Sequence, residues 1–205
     1  MKIGIMGGTF NPIHNGHLAL AKAAYQQYQL DTVWFMPSGL PAHKSNNELL
    51  PAEVRLHMVQ LAIKAYPYFE ASSFEIERPG FTYTAETVAA LAKEYPEAEF
   101  YFIIGGDSLM KFHKWVRPEV ISAHTALLAA GRNGYSKEEI IEQSKVLNQK
   151  FGTKIFLLDM PEMIIASNQI RVYCTKQQFD KVSEMVPEEV LQYIMEQELW
   201  KCPTN

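Results

Sequence analysis

The chain has 205 residues, 47% of them hydrophobic and 20% charged, enough apolar material for a packed core and with no stretch of low-complexity or disordered composition. The formal net charge of −4 argues against a general nucleic-acid binder, which carries a basic face, but not against a small polyanion held by a few local Lys, Arg and His residues. No run reaches the roughly 18 apolar residues of a membrane span, the N-terminal apolar run is too short for a signal peptide, and Cys174 and Cys202 form no CxxC pair, so a soluble cytoplasmic protein with no membrane partner and no disulfide framework is expected.

In chain order, Lys2 to Met6 reads as a buried strand, His17 to Tyr28 as a helix with an apolar stripe, and Thr32 to Met36 as a second strand. The polar loop SGLPAHKSNNELLP follows, then a helix opened by Pro51 with Val54, Met58, Leu61 and Ala62 at helical spacing. Phe69 to Ile76 is a weaker strand, RPGFTYT a loop, and Ala85 to Glu94 a helix. Glu99 to Ile104 and Thr125 to Ala130 are strands, Ser136 to Lys150 is helical, Lys154 to Leu158 is a strand, and Pro187 to Leu199 is a final helix. Strands alternating with helices predict an α/β fold, a doubly wound parallel sheet with helices on both faces. No repeat or domain boundary is visible, so a single domain over residues 1–205 is expected, with a helical part from about 165 to 205.

Three strands end in glycine, at Gly7-Gly8, Gly105-Gly106 and Gly131. Ligands of such sheets sit beyond the carboxyl ends of the strands, so these glycines mark the expected site. The first is the stretch GGTFNPIHNGH, Gly7 to His17. Glycine lets a ligand approach the backbone, and the helix start behind it offers N–H groups and a positive dipole end to a phosphate. It is neither a Walker A loop nor a GxGxxG fingerprint. His14 and His17, three apart, admit three readings: structural histidines, a metal pair, or imidazole donors to phosphate. A catalytic zinc usually wants three protein ligands, and the glycine turn beside a helix start favours phosphate.

This stretch resembles the signature GGTFDPxHxGH of the adenylyltransferase branch of the nucleotidyltransferase superfamily, with Asn11 at the Asp position. The resemblance implies a Rossmann-like fold, His14 and His17 on the triphosphate of ATP, and Gly7, Gly8, Thr9 and Phe10 around it. Most of the chain resembles one branch, the bacterial nicotinate mononucleotide adenylyltransferases. PAHKS is similar to that family's Pro-Pro-His-Lys loop, which implies a phosphate contact from Lys44. YTAET is similar to its Tyr-Thr-x-Asp-Thr, which implies that Tyr83 and Thr84 hold the pyridine end of the mononucleotide; Thr84 also reads as a helix N-cap. IIGGDSLMKFHKW is similar to its Gly-x-Asp stretch followed by tryptophan. That implies Gly105 and Asp107 in ATP binding, with Asp107 meeting a ribose or positioning part of the ligand, and Trp115 stacked on the nicotinate ring, the planar face of indole suiting a planar partner. IASNQIR resembles Ile-Ser-x-Thr-x-x-Arg, which implies a catalytic role for Arg171. Ala166 and Asn168 stand where Ser and Thr are usual, so Ser167 and Asn168 become the candidate contacts, Asn168 also as a helix cap. Arg132, after the fifth strand, is a further phosphate or adenine-side candidate, with a plain surface arginine as the alternative.

The implied reaction is transfer of the adenylyl group of ATP to nicotinate mononucleotide. Mg²⁺ is the implied cofactor, carried mainly on ATP phosphates rather than in a protein cage. No nucleic-acid partner is expected, and the oligomeric state stays open between monomer and homodimer. Nicotinamide mononucleotide or 4′-phosphopantetheine are alternative acceptors. From other classes, a nucleotide-binding regulatory module without turnover and a metal hydrolase built on His14 and His17 are the rivals.

Overall fold

The computed structural model describes residues 1–41, 49–131, 135–161 and 163–201. Lys44 and Arg132 lie outside the described residues. The elements follow in the order β1 (Lys2–Gly8), α1 (Asn15–Tyr28), β2 (Thr32–Pro37), β3 (Leu40–Pro41), α2 (Ala52–Ile63), β4 (Phe69–Ala71), β5 (Phe81–Thr82), α3 (Thr84–Glu94), β6 (Glu99–Gly105), α4 (Gly106–Lys111), α5 (Pro118–His124), β7 (Thr125–Ala130), α6 (Lys137–Phe151), β8 (Ile155–Leu158), α7 (Ser167–Thr175), α8 (Phe179–Ser183) and α9 (Glu188–Glu196). A short 3₁₀ turn, Phe112–Lys114, joins α4 to the segment before α5.

Six strands form one sheet in the order β4-β2-β1-β6-β7-β8, and every adjacent pair is parallel. Counted within that sheet alone, the order is 3-2-1-4-5-6, the doubly wound Rossmann arrangement, and it reverses between β1 and β6. A parallel sheet covered on both faces needs strands that are apolar throughout. The sequence supplies them: side chains alternate between the two faces along each strand. Ile3 and Ile5 of β1, Phe100, Phe102 and Ile104 of β6, and Leu127 and Ala129 of β7 pack with Val88, Leu91, Ile121, Ile140 and Leu147 of α3, α5 and α6. Met6, Ile103, Leu128 and Ala130 point the other way, into a core shared with α1, α2, α7 and α9 through Leu20, Ala24, Met58, Ala62, Ile170 and Ile194. Each fully buried aliphatic side chain of this kind contributes roughly 1.5–3 kcal/mol.

The expected strands at β1, β2, β6, β7 and β8 form within a residue or two. The strand expected over Phe69 to Ile76 stops at Ala71. Beyond it the Ser72 hydroxyl accepts from the Phe74 N–H at 3.3 Å and the Ile76 N–H turns back to the Ser73 carbonyl at 2.8 Å, local bonds that compete with a ladder. RPGFTYT is not all loop: Phe81 and Thr82 pair in parallel with Leu40 and Pro41 as a second, two-stranded sheet. No described helix is long and apolar enough to cross a membrane.

Candidate active site

The carboxyl ends of β1 and β6 open into a cleft of about 550 Å³ at the point where the strand order reverses. The cleft brings together Gly7, Gly8, Thr9, His14, His17, Tyr83, Thr84, Gly105, Asp107 and Trp115, all predicted from sequence. Lining side chains from β1, α1, α3, β6 and α4 therefore converge from positions up to a hundred residues apart.

The β1–α1 turn is shaped by close packing. A Cβ on Gly7 would lie 2.9 Å from the ring of Phe102, and one on Gly8 would lie 3.1 Å from the ring of Phe10. A side chain at Gly7 would have to displace the Phe102 ring, and one at Gly8 would crowd the Phe10 ring. Phe10 takes a left-handed backbone, φ 48°, which costs a non-glycine residue roughly 1–2 kcal/mol. Burial of its side chain, tilted on Phe35 at 5.9 Å and edge-on to His17 at 5.0 Å, offsets that cost. The Phe10 ring sits behind the turn and props it instead of lining the cleft. The Asn11–Pro12 peptide that follows is cis.

His14 is the N-cap of α1 and His17 its third residue, in the reciprocal arrangement of a capping box. The His14 N–H donates to Nδ1 of His17 at 3.2 Å. That bond uses the Nδ1 lone pair, so the proton of neutral His17 sits on Nε2, which becomes a donor. The two imidazoles stack, centroids 3.7 Å apart and planes 26° apart, and His14 is 3% exposed. The helix start itself is less open than the sequence suggests. The Asn15 N–H is taken by the Met185 carbonyl at 2.9 Å, and the His17 N–H by the His14 carbonyl at 2.9 Å. In the turn before it, the Thr9 and Phe10 N–H groups have no acceptor among the described residues.

The C-terminal helices lock onto this turn. Ser167 Oγ donates to the Pro12 carbonyl at 2.9 Å, and Arg171 Nη1 donates to the Asn11 carbonyl at 3.0 Å. Neither residue lines the cleft; both hold its wall, and Ala166 and Ile165 are the residues of that segment that line it. Asn168 is exposed, its Oδ1 accepts from the Gln169 N–H at 2.9 Å, and the helix cap is Ala166, not Asn168. Thr84 likewise lies inside α3, whose N-cap is Tyr83. Trp115 presents itself to the cleft with its ring edge-on to Phe102 at 6.0 Å and tilted on Phe112 at 5.4 Å.

Three polar groups escaped the sequence reading. Glu75 lines the cleft although it is 8% exposed; Thr87 Oγ donates to its Oε1 at 2.7 Å. Burial pushes its carboxyl above the ordinary range, while the Thr87 bond and nearby Arg78 act in the opposite sense. Ser38 lines the cleft with a buried Oγ that has no hydrogen-bond partner among the described residues. Arg55, 1% exposed, lies beneath the turn. Only the pairing of β3 with β5, and the packing of α2 under both loops, brings these groups to the site; periodicity carries no signal for that. Among the described residues the lining carries two carboxylates, Glu75 and Asp107, and no Lys or Arg, and no group of three or more His, Cys, Asp or Glu is placed to hold a metal ion.

A glycine turn and a stacked histidine pair thus stand at the switch point of a doubly wound sheet, the architecture of a Rossmann-like α/β protein. Residues 5–173 match the family model described as cytidylyltransferase-like. The protein named "Probable nicotinate-nucleotide adenylyltransferase" of Lachnoclostridium phytofermentans is 45% identical over 95% of this chain and 96% of its own. The protein of the same name from Clostridium acetobutylicum is 36% identical over 97% of this chain and 98% of its own. The chain therefore belongs to the cytidylyltransferase-like family and, within it, to the nicotinate-nucleotide adenylyltransferases. Its fold matches that of Plasmodium falciparum nicotinic acid mononucleotide adenylyltransferase, solved in complex with NaAD, at a TM-score of 0.80 with 21% identity and 97% of both chains covered. The complex of the same enzyme with APC gives 0.78 at 20% identity, covering 97% of this chain and 96% of that one.

Proposed function

We propose that this chain transfers the adenylyl group of ATP to nicotinate mononucleotide, releasing nicotinate adenine dinucleotide and pyrophosphate. The observation that carries the residue roles is the stacked His14–His17 pair at the turn between β1 and α1, facing the switch-point cleft. A phosphate oxygen of the mononucleotide attacks the α-phosphorus of ATP. The bond from that phosphorus to the bridging oxygen breaks, and the electron pair leaves with pyrophosphate. A phosphate monoester has a second pKa of about 6, so the nucleophile is already ionised at neutral pH and needs no general base.

What the protein supplies is position and charge stabilisation. His17 Nε2–H and the imidazole of His14 donate to the phosphates, with the backbone of Gly7 to Phe10 around them. Lys44 and Arg132 bring positive charge to the same polyanion. Arg171 and Ser167 act from behind the turn, through the Asn11 and Pro12 carbonyls they hold. Asp107 meets a ribose, and Tyr83, Thr84 and Trp115 hold the pyridine end. Asp107 in the lining fits a Mg²⁺ ion that arrives on ATP and keeps its waters, since Mg²⁺ is usually held by one or two carboxylates plus substrate phosphates. That ion would offset charge on the phosphates. The α7–α9 region braces the same turn, so we read residues 1–205 as one domain.

The test is pyrophosphate release from ATP and magnesium with nicotinate mononucleotide, nicotinamide mononucleotide and 4′-phosphopantetheine in parallel. The expected result is a kcat/KM for the nicotinate form at least tenfold above the others. A preference for another acceptor would overturn the assignment of Tyr83, Thr84 and Trp115. ATP binding without release with any acceptor would leave a regulatory module as the reading.

A further inference from the structure

Arg55 sits in the first half of α2, on the helix face it shares with the buried Met58, Val59 and Ala62. It is 1% exposed, among the largest fully buried side chains of the protein. Among the described residues its guanidinium bonds only to carbonyls. Nε donates to Leu50 O at 3.0 Å, Nη1 to Thr9 O at 2.7 Å, and Nη2 to Ser38 O at 2.7 Å and Gly39 O at 3.0 Å. One side chain thus ties the β1–α1 turn, the β2–β3 turn and the segment leading into α2.

No carboxylate of the described residues is bonded to it. Burial holds the Arg55 pKa below the ordinary arginine range, and Glu53 acts only at a distance in the opposite sense. A buried charge without a counter-ion is a poor device for stability alone, because an apolar side chain of similar volume does as well or better. The bonded carbonyls indicate another use. In a trans peptide the C=O and the following N–H point to opposite sides. Turning Thr9 O toward Arg55 therefore turns the Phe10 N–H away from it, and turning Ser38 O toward Arg55 does the same for the Gly39 N–H. Neither N–H has an acceptor among the described residues, and Thr9 and Ser38 both line the cleft.

We infer that Arg55 is a positioning residue for phosphate binding: it fixes the Thr9–Phe10 and Ser38–Gly39 peptide planes so that their N–H groups face the ligand's phosphate oxygens, and its own unneutralised charge adds to the attraction. The ligand class is a polyphosphate, which rests on the adenylyl-transfer reading given above. The planar fork of arginine is needed for this, since only it reaches carbonyls of two turns in one plane. A lysine keeps the charge but aims at one carbonyl at a time.

Two measurements test this. In the intact wild-type protein, amide NMR is recorded with and without inorganic pyrophosphate and magnesium; the Phe10 and Gly39 amides are expected to shift and to lose exchange with water. Silence at both amides while the His17 ring signals respond would overturn the inference. In kinetics, Arg55→Lys is expected to raise KM for ATP about tenfold while leaving KM for the mononucleotide within about twofold, with Arg55→Met worse than Arg55→Lys. A folded Arg55→Lys with wild-type kcat and KM for ATP would overturn it as well. The two ideas fail separately. Amides that respond to pyrophosphate in a protein that transfers nothing leave Arg55's role standing and sink the reaction, and transfer with silent amides does the reverse.

Discussion

His17 has two jobs in one ring, and a pair of substitutions separates them. Its Nδ1 accepts from the His14 N–H at 3.2 Å as part of the α1 cap, while its Nε2 is the donor assigned to phosphate. His17→Ala removes both. Loss of a capping contact costs about 0.5–2 kcal/mol, and a chain of this size loses roughly 2–4 °C of Tm per kcal/mol, so a drop of a few degrees is expected. Loss of one donor aimed at developing charge costs about 10²–10³ in kcat. His17→Gln keeps the cap, because a Gln at the third position of a helix reaches back to the N-cap N–H as the capping box requires. Its amide N–H is a donor set at a different distance and direction from the imidazole Nε2, so it replaces that donor only in part. Its Tm should stay within about 1 °C of wild type while kcat still falls by about tenfold or more, because the donor is misplaced. Thermal melts followed by circular dichroism, and pyrophosphate release at saturating ATP, read the two effects apart. Wild-type turnover in His17→Gln would refute the catalytic assignment, and an equal loss of Tm in both variants would refute the capping one.

Trp115→Ala should chiefly raise KM for the mononucleotide, by roughly the tenfold that 1–3 kcal/mol of ring stacking allows, with kcat less affected and Trp115→Phe intermediate; an unchanged KM in initial-rate kinetics would remove the stacking role. For Glu75, burial raises the folded pKa above the ordinary 4.5, so the fold favours the neutral form and the ionised carboxyl costs stability at neutral pH. The stability this group contributes is full below about pH 4.5 and is lost as pH rises through the folded pKa. Glu75→Gln, which still accepts from Thr87, should therefore melt higher than wild type at pH 8, with the difference shrinking toward pH 4.5. A pH-independent difference would show that Glu75 is not the titrating group.

Much of the frame was legible because its causes are local. A strand buried on both faces of a parallel sheet reads as a continuous apolar run, and Lys2 to Met6, Glu99 to Ile104 and Thr125 to Ala130 are such runs. The Ser136 cap of α6, with Glu139 in its capping box, was legible for the same reason. Helices α4, α5 and α8 were not, since five to seven residues hold too few turns for a periodic signal. The turn after β4 was missed because local bonds decide it, to the Ser72 hydroxyl and the Ser73 carbonyl, and not a hydrophobic pattern.

The site divides along the same line. The sequence determined by itself the glycine turn, the placing of His14 and His17, and the helix start they cap, since the capping partners lie three residues apart. Tertiary structure alone decided that Arg55, an unremarkable charge between Val54 and Leu56, is buried under two loops, that Glu75 and Ser38 enter the cleft, and that Arg171 and Ser167 brace the turn instead of lining the cleft. Those fates depend on which distant carbonyls the fold brings within about 3 Å, and a hydrogen bond across a hundred residues leaves no trace in the spacing of either partner.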